Sequence, residues 1–122
     1  MKSGNRTQSF PQLAAQVEKF AADRDWNQFH SPKNLCMALS VECAELMEHF
    51  QWLTEAQSRA LAPETMAEVK EELADVLIYV MRLSQVLGVD LLAAAQAKLQ
   101  VNAAKYPVEK SRGSAKKYSR LR

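Results

Sequence analysis

The sequence predicts an all-α chain, and three observations predict it. Glycine and proline are scarce, three and four in 122 residues, while Ala, Leu, Glu, Lys, Gln and Met abound. That balance favours helices over a sheet, which would need many turns. Apolar residues recur at helical spacing over four segments, and capping residues mark several of their ends. The length suits a single domain with one core. A composition 48% hydrophobic and 25% charged excludes a wholly disordered chain, a collagen-like repeat and a disulfide-dense miniprotein.

Residues 1–8 are polar and read as a flexible N-terminus. Ser9-Phe10-Pro11 then opens a first helix, with Ser9 as N-cap and Pro11 tolerated in the first turn, running to about Arg24. Asp25 to Pro32 is a loop that carries Trp26, Asn27, Gln28, Phe29 and His30. Solvent-facing connections normally hold small polar residues, so this loop is expected to line something. The second helix, about Lys33 to Leu53, places Leu35, Leu39, Leu46, Phe50 and Leu53 on one stripe. Thr54 to Pro63 connects it, with room for a helical turn, to a third helix from about Glu64 to Leu87. There Val69, Val76, Val80, Leu83 and Leu87 repeat the stripe, and Gly88 suits the C-terminal cap. A fourth helix starts at the N-cap Asp90 and runs to about Lys105, before Pro107 stops it.

Four amphipathic segments with short connections predict a four-helix bundle over residues 9–106, followed by a basic tail, 107–122. The third helix is apolar almost all round from Val76 to Met81. That exceeds what a small monomer needs to bury, so a homodimer or homotetramer is expected.

No apolar stretch approaches the roughly 20 residues that span a bilayer, and the N-terminus lacks a signal-peptide apolar region. The expectation is a cytoplasmic protein without a membrane partner. Cys36 and Cys43 stand seven apart on one predicted helix, roughly 10 Å along its axis, too far for a disulfide. They are expected to be reduced core residues. The net charge of +2 conceals an asymmetry: residues 105–122 hold seven bases and one acid, a net +6, which leaves −4 for residues 1–104.

Glu42 and Glu45 are three apart on the second helix, and Glu72 and Asp75 three apart on the third. Each pair therefore projects from nearly one face. Glu42 lies about 40° from Leu46, and Glu72 about 40° from Val76, so both pairs border the apolar stripes and point inward. A solvated acidic face is the bland alternative. However, the positions four residues on hold Leu46, His49, Val76 and Tyr79, with no Lys or Arg, and Glu68 and Glu71 add like charge. Carboxylates converging near an apolar seam repel one another unless a cation sits among them. Oxygen-only ligands favour Mg²⁺, with Mn²⁺ as substitute. A di-iron bundle would need Glu-x-x-His, and neither His30 nor His49 follows a Glu by three; nor do two His and two Cys form a tetrahedral zinc set. Carboxylate-held Mg²⁺ commonly serves phosphoryl chemistry. Neither G-x-x-x-x-G-K-[ST] nor G-x-G-x-x-G is present to cradle the phosphates.

Four strings, Trp26-Asn27-Gln28-Phe29-His30-x-Pro32-x-Asn34-Leu35, Glu42-x-x-Glu45-Leu46-x-Glu48-x-Phe50-Gln51-Trp52, Glu71-Glu72-Leu73-x-Asp75-Val76-Leu77-Ile78-Tyr79, and Asn102-x-x-x-Tyr106-Pro107, carry a likeness. They resemble the MazG-like all-α nucleotide pyrophosphohydrolases, in particular the dCTP pyrophosphatase branch. The likeness extends through Ser111-Arg112-Gly113-Ser114-Ala115 to Lys117-Tyr118. It implies hydrolysis of a (deoxy)nucleoside triphosphate between the α and β phosphates. By the same route Glu42, Glu45, Glu72 and Asp75 become Mg²⁺ ligands, and Glu45 or Glu48 the base that activates water. Trp26 to His30, Trp52 and Tyr79 match positions around base and sugar. Aromatic faces can stack on a base while Asn27, Gln28 and His30 supply hydrogen bonds. The competing assignment is that Trp26 and Phe29 plug the bundle end. Lys98, Asn102 and Tyr106 are candidate phosphate contacts, although Lys98 suits a solvated helix face equally well. Some dCTP pyrophosphatases place a substrate-contacting His where this chain has Val17, which weakens strict cytosine selection. Sites in the family are often completed by a neighbouring subunit.

Two other functions compete. The +6 tail with Tyr106 and Tyr118 could serve a nucleic-acid-binding module, but an acidic body repels the phosphate backbone. The tail is expected to be partly disordered or to reach toward the triphosphate. A purely structural bundle leaves the inward carboxylates unexplained. Within the enzyme class, a broader house-cleaning activity on other or modified pyrimidine nucleotides is the main competitor.

Overall fold

A computed structural model describes residues 8–122, and the N-terminal segment expected to be flexible lies, but for Gln8, outside the described residues. All regular structure among the described residues is helical. The chain divides into two compact units, the first ending at Gly88 and the second spanning Val89–Arg122.

In the first unit, α1 (Phe10–Asp23) starts at Ser9 through a capping box. Gln12 N–H donates to Ser9 Oγ at 3.3 Å and Ser9 N–H to Gln12 Oε1 at 3.0 Å, satisfying two otherwise unpartnered donors. A 3-10 turn (Trp26–Gln28) occupies the loop. Next, α2 (Pro32–Glu48) starts at Ser31, whose Oγ accepts from Asn34 N–H at 3.1 Å. This helix stops five residues short of the expected Leu53. Phe50 and Gln51 N–H both turn back onto Met47 C=O at 2.9 Å, and Leu53 N–H onto Phe50 C=O. The chain then enters a second capping box, Thr54 with Gln57, that opens the single-turn helix α3 (Glu55–Ser58). The local cap outcompetes continuation of α2, and it takes Trp52 and Leu53 off the helix, with both exposed.

The longest helix, α4 (Pro63–Leu87), ends where Gly88 takes φ 68°, the left-handed conformation anticipated for its cap. It packs most extensively along α2 and also against α1. Ala21, Leu35, Val69 and Met81 form the buried core at these seams. Leu39, Leu46, Phe50, Val76, Val80 and Leu83 of the expected stripes are half-buried, while Leu87 in the last turn is exposed. Cys36 and Cys43 are free and exposed, not core residues as expected. Both lie about 80–100° round the helix from Leu35, off the face that meets α4. Leu73, Leu77 and Ile78 on α4 are also exposed, so this unit retains uncovered apolar surface.

The second unit holds α5 (Leu91–Lys105), capped by Asp90 Oδ1 accepting from Ala93 N–H at 3.1 Å. After Pro107 come a helical turn, α6 (Val108–Ser111), and a 3-10 turn (Tyr118–Arg120). The tail doubles back within its unit. Tyr118 meets Tyr106 edge-to-face with centroids 6.0 Å apart, and Lys105 Nζ sits 4.7 Å from the Tyr118 centroid. Among the described residues no single helix is long and apolar enough to cross a membrane.

Leu35 is 2% exposed in the α2–α4 seam. Leu35→Ala is expected to destabilise the protein by about 2–5 kcal/mol, read as a lower urea midpoint with an unchanged m-value.

Candidate functional site: a carboxylate cluster beside an aromatic cavity

Glu42 and Glu45 descend from α2, and Glu72 rises from α4 across the seam, all three half-buried. One oxygen from each lies within 4.8 Å of the other two, a geometry that could hold a metal ion. Two oxygens in one Mg²⁺ shell stand at most about 4.2 Å apart, so small rotamer adjustments would close the set. Glu42 Oε2 and Glu72 Oε2 are buried with no hydrogen-bond partner among the described residues. Buried carboxylate oxygens without donors are unfavourable as ions, and a hard cation is the partner they fit. Asp75, one turn beyond Glu72, is more exposed and falls outside the three-oxygen group, yet its charge reaches both Glu42 and Glu72.

The electrostatics follow from this crowding. Burial, then the carboxylate contact with Glu45, then the charges of Glu45, Asp75 and Glu72 push Glu42 up to about 7. Burial and the charge of Glu45 likewise raise Glu72. His49 caps the C-terminus of α2 and faces the same acids, with Nδ1 3.5 Å from Glu68 Oε2 and Nε2 3.9 Å from Glu72 Oε1. Glu48, in the last turn of α2, is exposed and outside the cluster.

Beside the cluster, a cavity of about 270 Å³ opens between α1, the aromatic loop and α4. Asp75, Ile78, Tyr79 and Arg82 line it from α4, at i, i+3, i+4 and i+7, so one helix face supplies that wall. Trp26 and His30 line it from the loop, Val17, Phe20 and Ala21 from α1. The Trp26 ring meets Phe20 edge-to-face at 5.6 Å and His30 at 6.1 Å. The loop is held by its own side chains. Asp25 adopts φ 54°, uncommon for a non-glycine residue, and its C=O and Oδ2 both accept from Gln28 Nε2 at 3.0 Å. Asn34 Nδ2 donates to Phe29 C=O at 3.1 Å, anchoring the loop to α2.

The structure thus joins Glu42, Glu45 and Glu72 in one group, and Trp26, His30, Tyr79 and Asp75 around one cavity. It turns the Gln28 amide onto Asp25, engages Asn27 with Arg82, and leaves Phe29 60% exposed. Trp52 is 86% exposed and is not part of the wall of this cavity. Lys98, Asn102 and Tyr106 belong to the second unit, where Asn102 C=O accepts the N–H of Tyr106 at 2.8 Å. A larger hollow of about 510 Å³ in that unit is lined by Lys116, Ser119, Arg120, Leu121 and Arg122, with neither a carboxylate side chain nor an aromatic face. Arg82 and His49 were not among the site residues expected from the sequence. The signal for Arg82 was available, since it is the one charged residue in the apolar run from Val76 to Leu87.

The chain belongs to the MazG-like family, whose pattern residues 37–121 match. That span includes the four acids, Trp52, Tyr79 and Arg82, while Trp26–His30 precede it. The chain is 49% identical over 105 residues to dCTP pyrophosphatase 1 of Rattus norvegicus and 44% identical to that of Homo sapiens. Each alignment covers 84% of this chain, which spans 62% of the length of these curated relatives. The crystal structure of a pyrophosphatase from Archaeoglobus fulgidus superposes with a TM-score of 0.77 at 34% identity, covering 87% of this chain and 99% of that one.

A raised carboxyl means that the folded, metal-free protein binds more protons than the unfolded chain. Stability is therefore expected to fall as pH rises from the ordinary carboxylate value of 4.5 through about 7. Added Mg²⁺ should reverse that slope. Thermal melts with EDTA and with Mg²⁺ across this window check it, the metal-induced rise in Tm being larger above pH 7 than near pH 5.

Proposed function

We propose that this chain is a Mg²⁺-dependent nucleoside triphosphate pyrophosphohydrolase. It cleaves a pyrimidine dNTP, dCTP or a 5-modified dCTP, between the α and β phosphates, releasing monophosphate and pyrophosphate. The observation that carries this reading is the convergence of Glu42, Glu45 and Glu72, with two orphaned buried oxygens, beside an aromatic-lined cavity. Its similarity to proteins named dCTP pyrophosphatase 1 supports the choice of nucleotide.

Glu42, Glu45, Glu72 and Asp75 would hold the cation, which when bound neutralises phosphate charge and acidifies water. Mn²⁺ would suit the same oxygen donors. Glu45 takes the proton from the attacking water, being inside the cluster where Glu48 is not. Trp26 and Tyr79 flank the base, and His30 offers it a hydrogen bond. A cavity of this size accommodates base and sugar, leaving the phosphates to run toward the carboxylates. The family resemblance, not the geometry, is what offers Lys98, Asn102 and Tyr106 as phosphate contacts. Exposed Trp52, together with the bare apolar residues Leu73 and Leu77, fits a homodimer or homotetramer in which a second copy covers these residues. Sanitation of a nucleotide pool is cytoplasmic work, consistent with two free cysteines. Membrane and nucleic-acid partners have no part in this reading. A broader house-cleaning specificity is the second reading. It is favoured by Val17, which lines the cavity with methyl groups in place of a hydrogen-bonding side chain.

Chromatography of the products from each canonical dNTP and NTP, with and without Mg²⁺, tests the proposal. Metal-dependent monophosphate plus pyrophosphate is expected, and diphosphate plus orthophosphate would overturn it. Glu45→Gln should lower kcat by at least about 100-fold with an unchanged circular dichroism spectrum, because it removes a charge and little volume. Loss of fold instead would make the acid structural. If a second copy brings Trp52 to the base, as the family resemblance implies, Trp52→Ala should raise KM more than it lowers kcat, and an unchanged KM would remove Trp52 from the base pocket.

A further inference from the structure

Arg82 is 7% exposed, the one buried charged side chain among the described residues. Among the described residues no carboxylate lies within ion-pair distance of it. Its guanidinium is surrounded by neutral acceptors. Nε donates to His30 Nδ1 at 2.9 Å, one terminal nitrogen to Gln85 Oε1 at 3.1 Å, and the other to Asn27 Oδ1. Gln85 Nε2 passes the link on to Ala14 C=O at 2.7 Å, so the network ties α4 to the loop and to α1.

Arginine has five donors, no acceptor and no accessible neutral form. Whatever it touches must therefore present a lone pair, which removes the usual ambiguity of the side chains around it. The Asn27 and Gln85 amides are fixed with oxygen toward Arg82. His30 must carry its proton on Nε2, because Nδ1 is the acceptor. Nε2 has no protein partner among the described residues, and His30 lines the cavity. We propose that Arg82 is the positioning residue of the base pocket: it locks His30 in the Nε2–H form and so makes it a hydrogen-bond donor to a carbonyl of the base. The O2 carbonyl shared by pyrimidines is the acceptor this donor suits. Burial and the nearby Arg82 charge both lower the His30 pKa, which keeps the ring neutral near pH 7. The inference rests on the nucleotide reading for its ligand, but the tautomer itself is a property of the free protein.

Two readouts test it. Long-range ¹⁵N–¹H NMR of the free, intact protein reports the imidazole tautomer directly. His49→Gln identifies which of the two histidine signals is His30. An Nε2–H ring is expected, and an Nδ1–H ring would overturn the proposal without any variant at Arg82. Arg82→Met should then give a mixture of tautomers. It should also raise KM for the preferred pyrimidine dNTP about tenfold with little change in kcat, the effect of one misplaced hydrogen bond. An unchanged tautomer or KM in a folded Arg82→Met protein would overturn it, as would equal losses in kcat and kcat/KM. If the wild type hydrolysed no nucleotide, the functional reading would fail while the NMR result would still decide the role of Arg82.

Discussion

Repulsion among carboxylates held across the α2–α4 seam is the constraint on which the first unit depends. Three half-buried acids within 4.8 Å of one another oppose the packing that brings their helices together. That packing is modest, with Ala21, Leu35, Val69 and Met81 as the fully buried hydrophobics. Each helix is separately fixed at its ends, by a reciprocal cap at Ser9, a serine cap at Ser31 and a glycine stop at Gly88. Such ends fix which residues each helix presents to the seam, while the packing of α2 on α4 brings the acids together. Protonation of Glu42 is one way to relieve the strain, and a divalent cation is the other; the two compete for the same oxygens.

At the far end of the same cavity the charge problem is inverted. Arg82 is a buried cation with no anion paired to it among the described residues, balanced by the carbonyl and ring lone pairs of Asn27, Gln85 and His30. An ion pair there would have fixed the guanidinium alone. Neutral acceptors make the guanidinium fix three other side chains, two of which face it from the loop. The loop is thereby ordered from both sides, by Asn34 from α2 and by Arg82 from α4. Its left-handed residue, Asp25, is stabilised in turn by Gln28.

What the sequence made legible was whatever is local. Ser9, Gly88 and Asp90 marked helix ends because capping is decided within four residues, and Glu42/Glu45 and Glu72/Asp75 were readable as pairs because i,i+3 spacing fixes a common face. The end of α2 was misjudged for the same kind of reason. Apolar residues at 50 and 53 continue the helical period, but the Thr54–Gln57 box starts a new helix and requires the chain to leave the old one first. The cysteines were misplaced because hydrophobic character says nothing of which side of a helix meets a neighbour. Arg82 was invisible in its role because its partners Asn27 and His30 lie more than 50 positions away. A charged residue amid apolar neighbours signals only that something distant must receive it.

The unbroken run of α4 from Pro63 to Leu87 also makes that helix a measuring rod. Asp75 and Arg82 are seven residues apart, within about 20° of one face and about 10 Å along the axis. The acidic end and the basic end of the site are therefore spaced by helix pitch, and no loop intervenes to let the spacing drift. Inserting a single residue between them would advance the basic end by about 1.5 Å and swing it through about 100°. An insertion of about one full turn is the smallest that would restore the common face, and it would lengthen the site by about 5 Å.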